Sequence, residues 1–128
     1  MSARSKARKE ALDQLFQADL RKISIALLEA DDLRDYAQEI ISGVKTNITR
    51  IDELIRSYIQ GWDFDRIPGV DRNILRISIW ELLWSQTPEA VVIDEALKMA
   101  TELSTENSPT FIHGVLSKLA TLKGQIAL

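Results

Sequence analysis

At 128 residues the chain has the length of one domain, and its 45% hydrophobic and 27% charged residues are the balance of a folded globular protein, not a disordered one. It contains no cysteine and a single histidine, His113, which excludes disulfides, thiol nucleophiles, thiolate metal sites and paired-histidine metal sites. The net charge of −3 is unevenly spread: residues 1–9 hold Arg4, Lys6, Arg8 and Lys9 with no acid, leaving 12 basic and 19 acidic residues in the rest.

The first predicted helix contains the stretch Arg4–Phe16. Ala7, Ala11, Leu12, Leu15 and Phe16 recur at spacings of three and four, which defines one apolar face. Its C-terminal half therefore anchors it, while its N-terminal half presents cations. Arg4 and Arg8 stand one turn apart and are placed to follow successive phosphates. An acidic body repels nucleic acid in general, so a local basic end favours a defined contact over indiscriminate coating.

Residues 19–32 form a weakly patterned connection with room for a short helical piece. Leu33, Tyr36, Ala37, Ile40, Ile41 and Val44 predict a second amphipathic helix, with Gly43 as its terminator. Thr46 and Asn47 supply capping side chains for a third, whose apolar face runs from Ile48 to Trp62 and whose stop is Gly61. The turn-rich segment 62–69 divides the chain. Val70–Trp84 is apolar around much of its circumference and is expected to be a central helix packed on more than one side. Thr87-Pro88 and Ser108-Pro109 are matching start signals, each a hydroxyl N-cap followed by proline, for the last two helices.

About six main helices result, three before the Gly69 region and three after. The expected fold is all-α: a single domain, 1–128, made of two small bundles, roughly 1–62 and 69–128, sharing one core. No apolar run is long enough to cross a bilayer and the N-terminus lacks a secretory signal's apolar segment, so the expected location is the cytoplasm.

Catalytic chemistry is not visible. The five glycines are scattered singly, which excludes glycine-rich phosphate loops, and His113 has no evident nucleophile or orienting acid. It is expected at the surface or at an interface. Trp62 and Trp80 fall on apolar faces and read as core. Trp84, at the end of the central helix, either packs locally or marks a protein contact.

Three stretches carry a resemblance that covers essentially the whole chain. Lys6-Ala-Arg-Lys-Glu-Ala-Leu-Asp-Gln-Leu-Phe16 is similar to R-R-x-A-R-E-x-A-x-Q-A-L-Y. Val70-Asp-Arg-Asn-Ile-Leu-Arg-Ile-Ser-Ile-Trp-Glu-Leu82 with Val92-Ile-Asp-Glu-Ala96 is similar to D-R-x-I-L-R-x-x-x-x-E-L and V-A-I-N-E-A. Asn107-Ser-Pro-Thr-Phe-Ile-His-Gly-Val-Leu116 is similar to D-S-x-x-F-V-N-G-V-L. In this order and at these separations they resemble the NusB family of bacterial transcription antitermination factors.

That resemblance implies an all-helical, two-bundle fold without cofactor. It implies binding of boxA-type nascent RNA together with NusE, a small-subunit ribosomal protein, within the RNA polymerase antitermination complex, notably on ribosomal RNA operons. Arg4, Lys6 and Arg8 lie where the family's arginine-rich helix meets RNA. Phe16 falls at the family's tyrosine on that helix, and Phe111 at the phenylalanine opening the last one, with Asn107 nearby. Single-stranded RNA needs flat surfaces for unstacked bases, although the spacing of Phe16 also suits the core. Asp71, Arg72, Trp84 and His113 are the partner-facing candidates.

The departures are specific. Ser5 and Lys6 replace frequent arginines, leaving fewer guanidinium forks and a weaker unaided grip on RNA. Phe16 lacks a hydroxyl, His113 replaces an asparagine, and Asn107 replaces an aspartate, removing a negative charge in favour of RNA binding. Two other functions fit the resemblance: the NusB-like accessory domain found at the front of some RNA methyltransferases, and a self-associating module in which a homodimer covers the RNA face.

Overall fold

The computed structural model describes residues 2–59, 61 and 63–128. Trp62, expected in the core, lies outside the described residues. Among the described residues five α-helices account for most of the chain: α1 (Ala3–Leu20), α2 (Asp35–Tyr58), α3 (Gly69–Trp84), α4 (Glu89–Leu103) and α5 (Ser108–Leu122). Short 3-10 turns occupy Ile25–Leu27, Phe64–Arg66 and Lys123–Gln125. No strand occurs among the described residues, so the fold is all-α as expected.

α1 begins where Ser2 caps it: the Ser2 hydroxyl accepts the backbone N–H of Ser5 at 3.0 Å. Its apolar face buries Ala7, Ala11, Leu12, Leu15 and Ala18. The small alanines let the helix lie close against α2 and α3, both of which it contacts.

The second and third predicted helices are two arms of one. α2 runs through the expected break and is kinked at Asn47, whose φ of −113° and ψ of 15° leave the helical region. The Asn47 side-chain amide donates to the Gly43 carbonyl at 2.8 Å, supplying a partner at the kink. Gly43 therefore does not terminate a helix; it makes room. A Cβ there would stand 1.9 Å from the Trp80 indole nitrogen, so the absence of a side chain is what admits the ring.

α3 is the hub. It packs on α1, α2, α4 and α5, and Ile74, Leu75, Ile77, Ile79 and Leu82 are fully buried on several of its sides. Each such side chain contributes about 1.5–3 kcal/mol by leaving water. One continuous cluster of buried apolar side chains joins all five helices.

Both proline start signals are displaced. α4 starts at Glu89 with Pro88 at its N-cap and no side-chain capping bond. The Thr87 hydroxyl is instead turned inward to Ser85 and Glu81. α5 starts at Ser108, one residue before the expected position, with Asn107 at an uncapped N-cap. The Ser108 hydroxyl accepts the Thr105 N–H at 3.2 Å and donates to the Ser104 hydroxyl, tying the α4–α5 turn together.

Candidate nucleic-acid interface

The four N-terminal cations have divergent fates. Arg4 and Lys6 are exposed, and among the described residues neither side chain forms an ion pair or hydrogen bond. Lys9 is paired with Glu102 at 2.6 Å. Arg8 is only 2% exposed and makes a two-pronged bond to Glu81, Nε to Oε1 and Nη2 to Oε2, both 2.9 Å. Glu95 stands 3.7 Å from it on the other side. The expectation that Arg8 presents its charge at the surface is thus corrected: the apolar face of α1 turns it into the molecule, where Glu81 balances it.

Burial alone would lower the Arg8 pKa, but its hydrogen bond to Glu81 and that residue's charge outweigh the desolvation, and the pKa ends above its ordinary value. Glu81 has two further partners. The Tyr36 hydroxyl donates to it at 2.6 Å and the Thr87 hydroxyl at 3.4 Å. Burial, then the bond to Glu81, raise the Tyr36 phenol. The four-residue group is fully satisfied: no buried side-chain polar atom among the described residues lacks a partner.

Tyr36 joins this buried group to the surface. The Arg4 guanidinium lies over its ring, 4.2 Å from the centroid, and that of Arg8 stands 5.6 Å from the same ring. Trp80 packs against Tyr36 at a centroid distance of 6.5 Å. Neither Tyr36 nor Glu81 stood out in the sequence as a site residue, because one sat at an apolar helix position and the other within the central helix. A buried-face glutamate in a hydrophobic run was the available signal.

The other candidate residues gather elsewhere. Phe16 is half-buried, with its ring against Gly69 at the start of α3. It lines a groove of about 330 Å³ with Lys9, Leu12, Asp13, Val70 and Leu103. Asp71 is 3% exposed and accepts the Ser104 hydroxyl, fastening α3 to the α4–α5 turn. Arg72 donates to Asp19 at 2.8 and 2.9 Å and to the carbonyls of Phe64 and Ile67. Asp71 is therefore an internal fastener without the partner-facing surface expected of it, while Arg72 is half-buried with its guanidinium committed to Asp19 and two backbone carbonyls. Phe111 is half-buried against the core, and Asn107, four residues earlier, is exposed. His113 is exposed, its Nε2 3.4 Å from the Ser117 hydroxyl, and Trp84 is half-buried.

Two groups result, one around Glu81 with Arg8, Tyr36 and Arg4, the other around the first turn of α3 with Phe16 and, through Asp71, Ser104 and Ser108, the start of α5. The twelve residue steps from Gly69 to Glu81 separate them by about 18 Å along α3.

Residues 5–121 match the sequence profile of the NusB family. The chain belongs to the NusB family. A transcription antitermination protein NusB from Leifsonia xyli subsp. xyli is 49% identical, over 96% of this chain and 94% of that one. The structure of NusB from T. maritima is 33% identical with a TM-score of 0.78, covering 98% of this chain and 99% of that one. A second NusB structure, solved as a complex of the antitermination factors NusB and NusE with double-stranded RNA, is 25% identical with a TM-score of 0.76 over 92% of this chain and 96% of its counterpart. The NusB fold described above is thus shared along nearly the full length.

Proposed function

We propose that this NusB-family chain is a non-catalytic transcription antitermination factor that binds boxA-type RNA together with NusE, in the cytoplasm, as part of the RNA polymerase antitermination complex on operons such as those for ribosomal RNA. One observation carries the RNA assignment: among the described residues Arg4 and Lys6 have no ion-pair partner on the first turns of α1, on a chain otherwise rich in acid. The solved NusB–NusE complex with RNA supports the choice of partners.

In this reading Arg4 and Lys6 meet phosphates, and Arg8 positions the helix that carries them. Phe16 and Phe111 border a second contact zone, where an exposed ring edge receives an unstacked base and Asn107 adds no negative charge. Asp71 and Arg72 shape that zone from inside, while Trp84 and His113 remain available to protein partners. The exposed His113, whose only described side-chain neighbour by hydrogen bonding is Ser117, supports a binding role over catalysis.

The test is titration of a fluorescent boxA-type RNA, with and without NusE, for wild type and Arg4→Ala/Lys6→Ala. Loss of two phosphate contacts flattens the salt dependence by about 0.7 logarithmic units per cation. Unchanged affinity and unchanged salt slope for the double variant would remove the RNA assignment from this helix.

A further inference from the structure

We infer that Tyr36 is a positioning residue for RNA, holding the Arg4 guanidinium flat so that its outer face stacks on an unpaired base. The inference rests on the reading of α1 as the RNA-binding helix and deepens it. A flexible arginine on the first turn of a helix ordinarily samples many rotamers, which weakens any single geometry it must adopt. Here its Cζ lies over an aromatic ring, 4.2 Å from the centroid, where a planar guanidinium can stack and a lysine ammonium can sit only as a point charge.

The ring is itself held. Its hydroxyl donates to Glu81 at 2.6 Å, Glu81 is fixed by both prongs of Arg8, and Trp80 flanks the ring. Trp80 in turn sits in the space left by Gly43. α1, α2 and α3 thus all contribute to placing one exposed cation. Charge attraction to phosphate needs no such seat, because it tolerates a mobile cation. A seat matters for stacking, where the plane has to be presented. The Arg4 guanidinium lies over Tyr36, the residue is exposed, and among the described residues its side chain has no hydrogen-bonding partner. The occupant that fits a flat, cationic, outward face is a nucleobase from single-stranded RNA.

The experiment combines a double-mutant cycle with changes in the RNA. Affinity for a boxA-type oligonucleotide is measured in the presence of NusE for wild type, Arg4→Lys, Arg4→Ala, Tyr36→Phe, Tyr36→Leu and Arg4→Ala/Tyr36→Leu. Folding is followed by thermal melting. Tyr36→Phe keeps the ring and is expected to bind within about twofold of wild type, whereas Tyr36→Leu and Arg4→Lys weaken binding about three- to tenfold, the range of a cation–aromatic or base stack. Tyr36→Leu adds nothing once Arg4 is alanine.

In the second measurement, single abasic nucleotides are walked along the RNA. One position is expected to weaken wild type while leaving Arg4→Lys unaffected, and this arm needs no change at Tyr36 should Tyr36→Leu fold poorly. Independent, additive effects of Arg4→Ala and Tyr36→Leu, or no abasic position that distinguishes wild type from Arg4→Lys, overturn the stacking inference while leaving phosphate binding by α1 intact. Indifference of RNA affinity to Arg4→Ala and Arg4→Lys alike overturns the inference and Arg4's proposed RNA contact together.

Discussion

Arg4 and Arg8 are the same residue type on the same helix, one turn apart, and they meet opposite environments. Arg8 is buried and bound through both prongs to Glu81, while Arg4 is exposed and its guanidinium lies over the Tyr36 ring. Both touch that ring, from 5.6 and 4.2 Å. The difference shows how a folded domain divides a cluster of like charges between anchoring and recognition. A cation committed to a buried carboxylate is lost to phosphate but fixes the helix; the neighbour left unpaired inherits a defined position.

The largest expected effect breaks the anchoring side. Arg8→Met leaves Glu81 buried without its cation and should cost about 3–5 kcal/mol of stability, measured by urea unfolding. Adding Glu81→Gln should recover part of that loss, because the uncompensated charge is then gone. No recovery would mean that the packing of the guanidinium, and not its charge balance, is what matters.

A smaller effect works through the support of both arginines. Gly43→Ala forces the Trp80 indole to move, since the new Cβ would lie 1.9 Å from its nitrogen. Overpacking of this kind costs about 1–3 kcal/mol. Displacing Trp80 should also disturb Tyr36, so RNA affinity falls along with stability, and indole fluorescence should report the shift.

Alkaline titration gives a third, finer test. The Tyr36 phenol is raised above its ordinary value of 10.0 in the folded state, by burial first and by Glu81 next. The folded chain therefore holds this proton more tightly than the unfolded one. The resulting stabilisation is fully present below about pH 10 and is lost as pH rises through the folded value. Thermal melting points should decline more steeply above pH 10 in wild type than in Tyr36→Phe.

The smallest stability effect belongs to the recognition side. Arg4→Ala should change unfolding free energy by less than about 0.5 kcal/mol, as expected for an exposed helical position, while clearly weakening RNA binding. A large loss of stability would erase the contrast with Arg8.

Much of the architecture was legible because helical periodicity is local. The apolar faces of α1, α2 and α3, the centrality of α3 and the turn before Gly69 all follow from spacing within a few turns. Errors occurred where a local signal had a distant cause. Gly43 read as a helix stop because glycine often ends helices, yet its purpose is set by Trp80, thirty-seven residues away. Thr87 read as a cap because it precedes proline, but Glu81 and Ser85 claim its hydroxyl. The candidate site was legible as a region and not as a set of roles: four cations without an acid mark the end of α1, and nothing within nine residues tells which will be neutralised.

The amino-acid sequence by itself determined an all-helical NusB-family chain with a basic first helix on an acidic body, since composition, periodicity and three ordered motifs are properties of the chain alone. Only the tertiary structure decided that Arg8 and Asp71 are internal fasteners, that Arg72 is tied to Asp19, and that among the described residues Arg4 and Lys6 have no ion-pair partner, with Arg4 over the Tyr36 ring. The physical reason is that a charge's role depends on the partners and solvent around it, and those are brought together by packing across elements far apart in the chain.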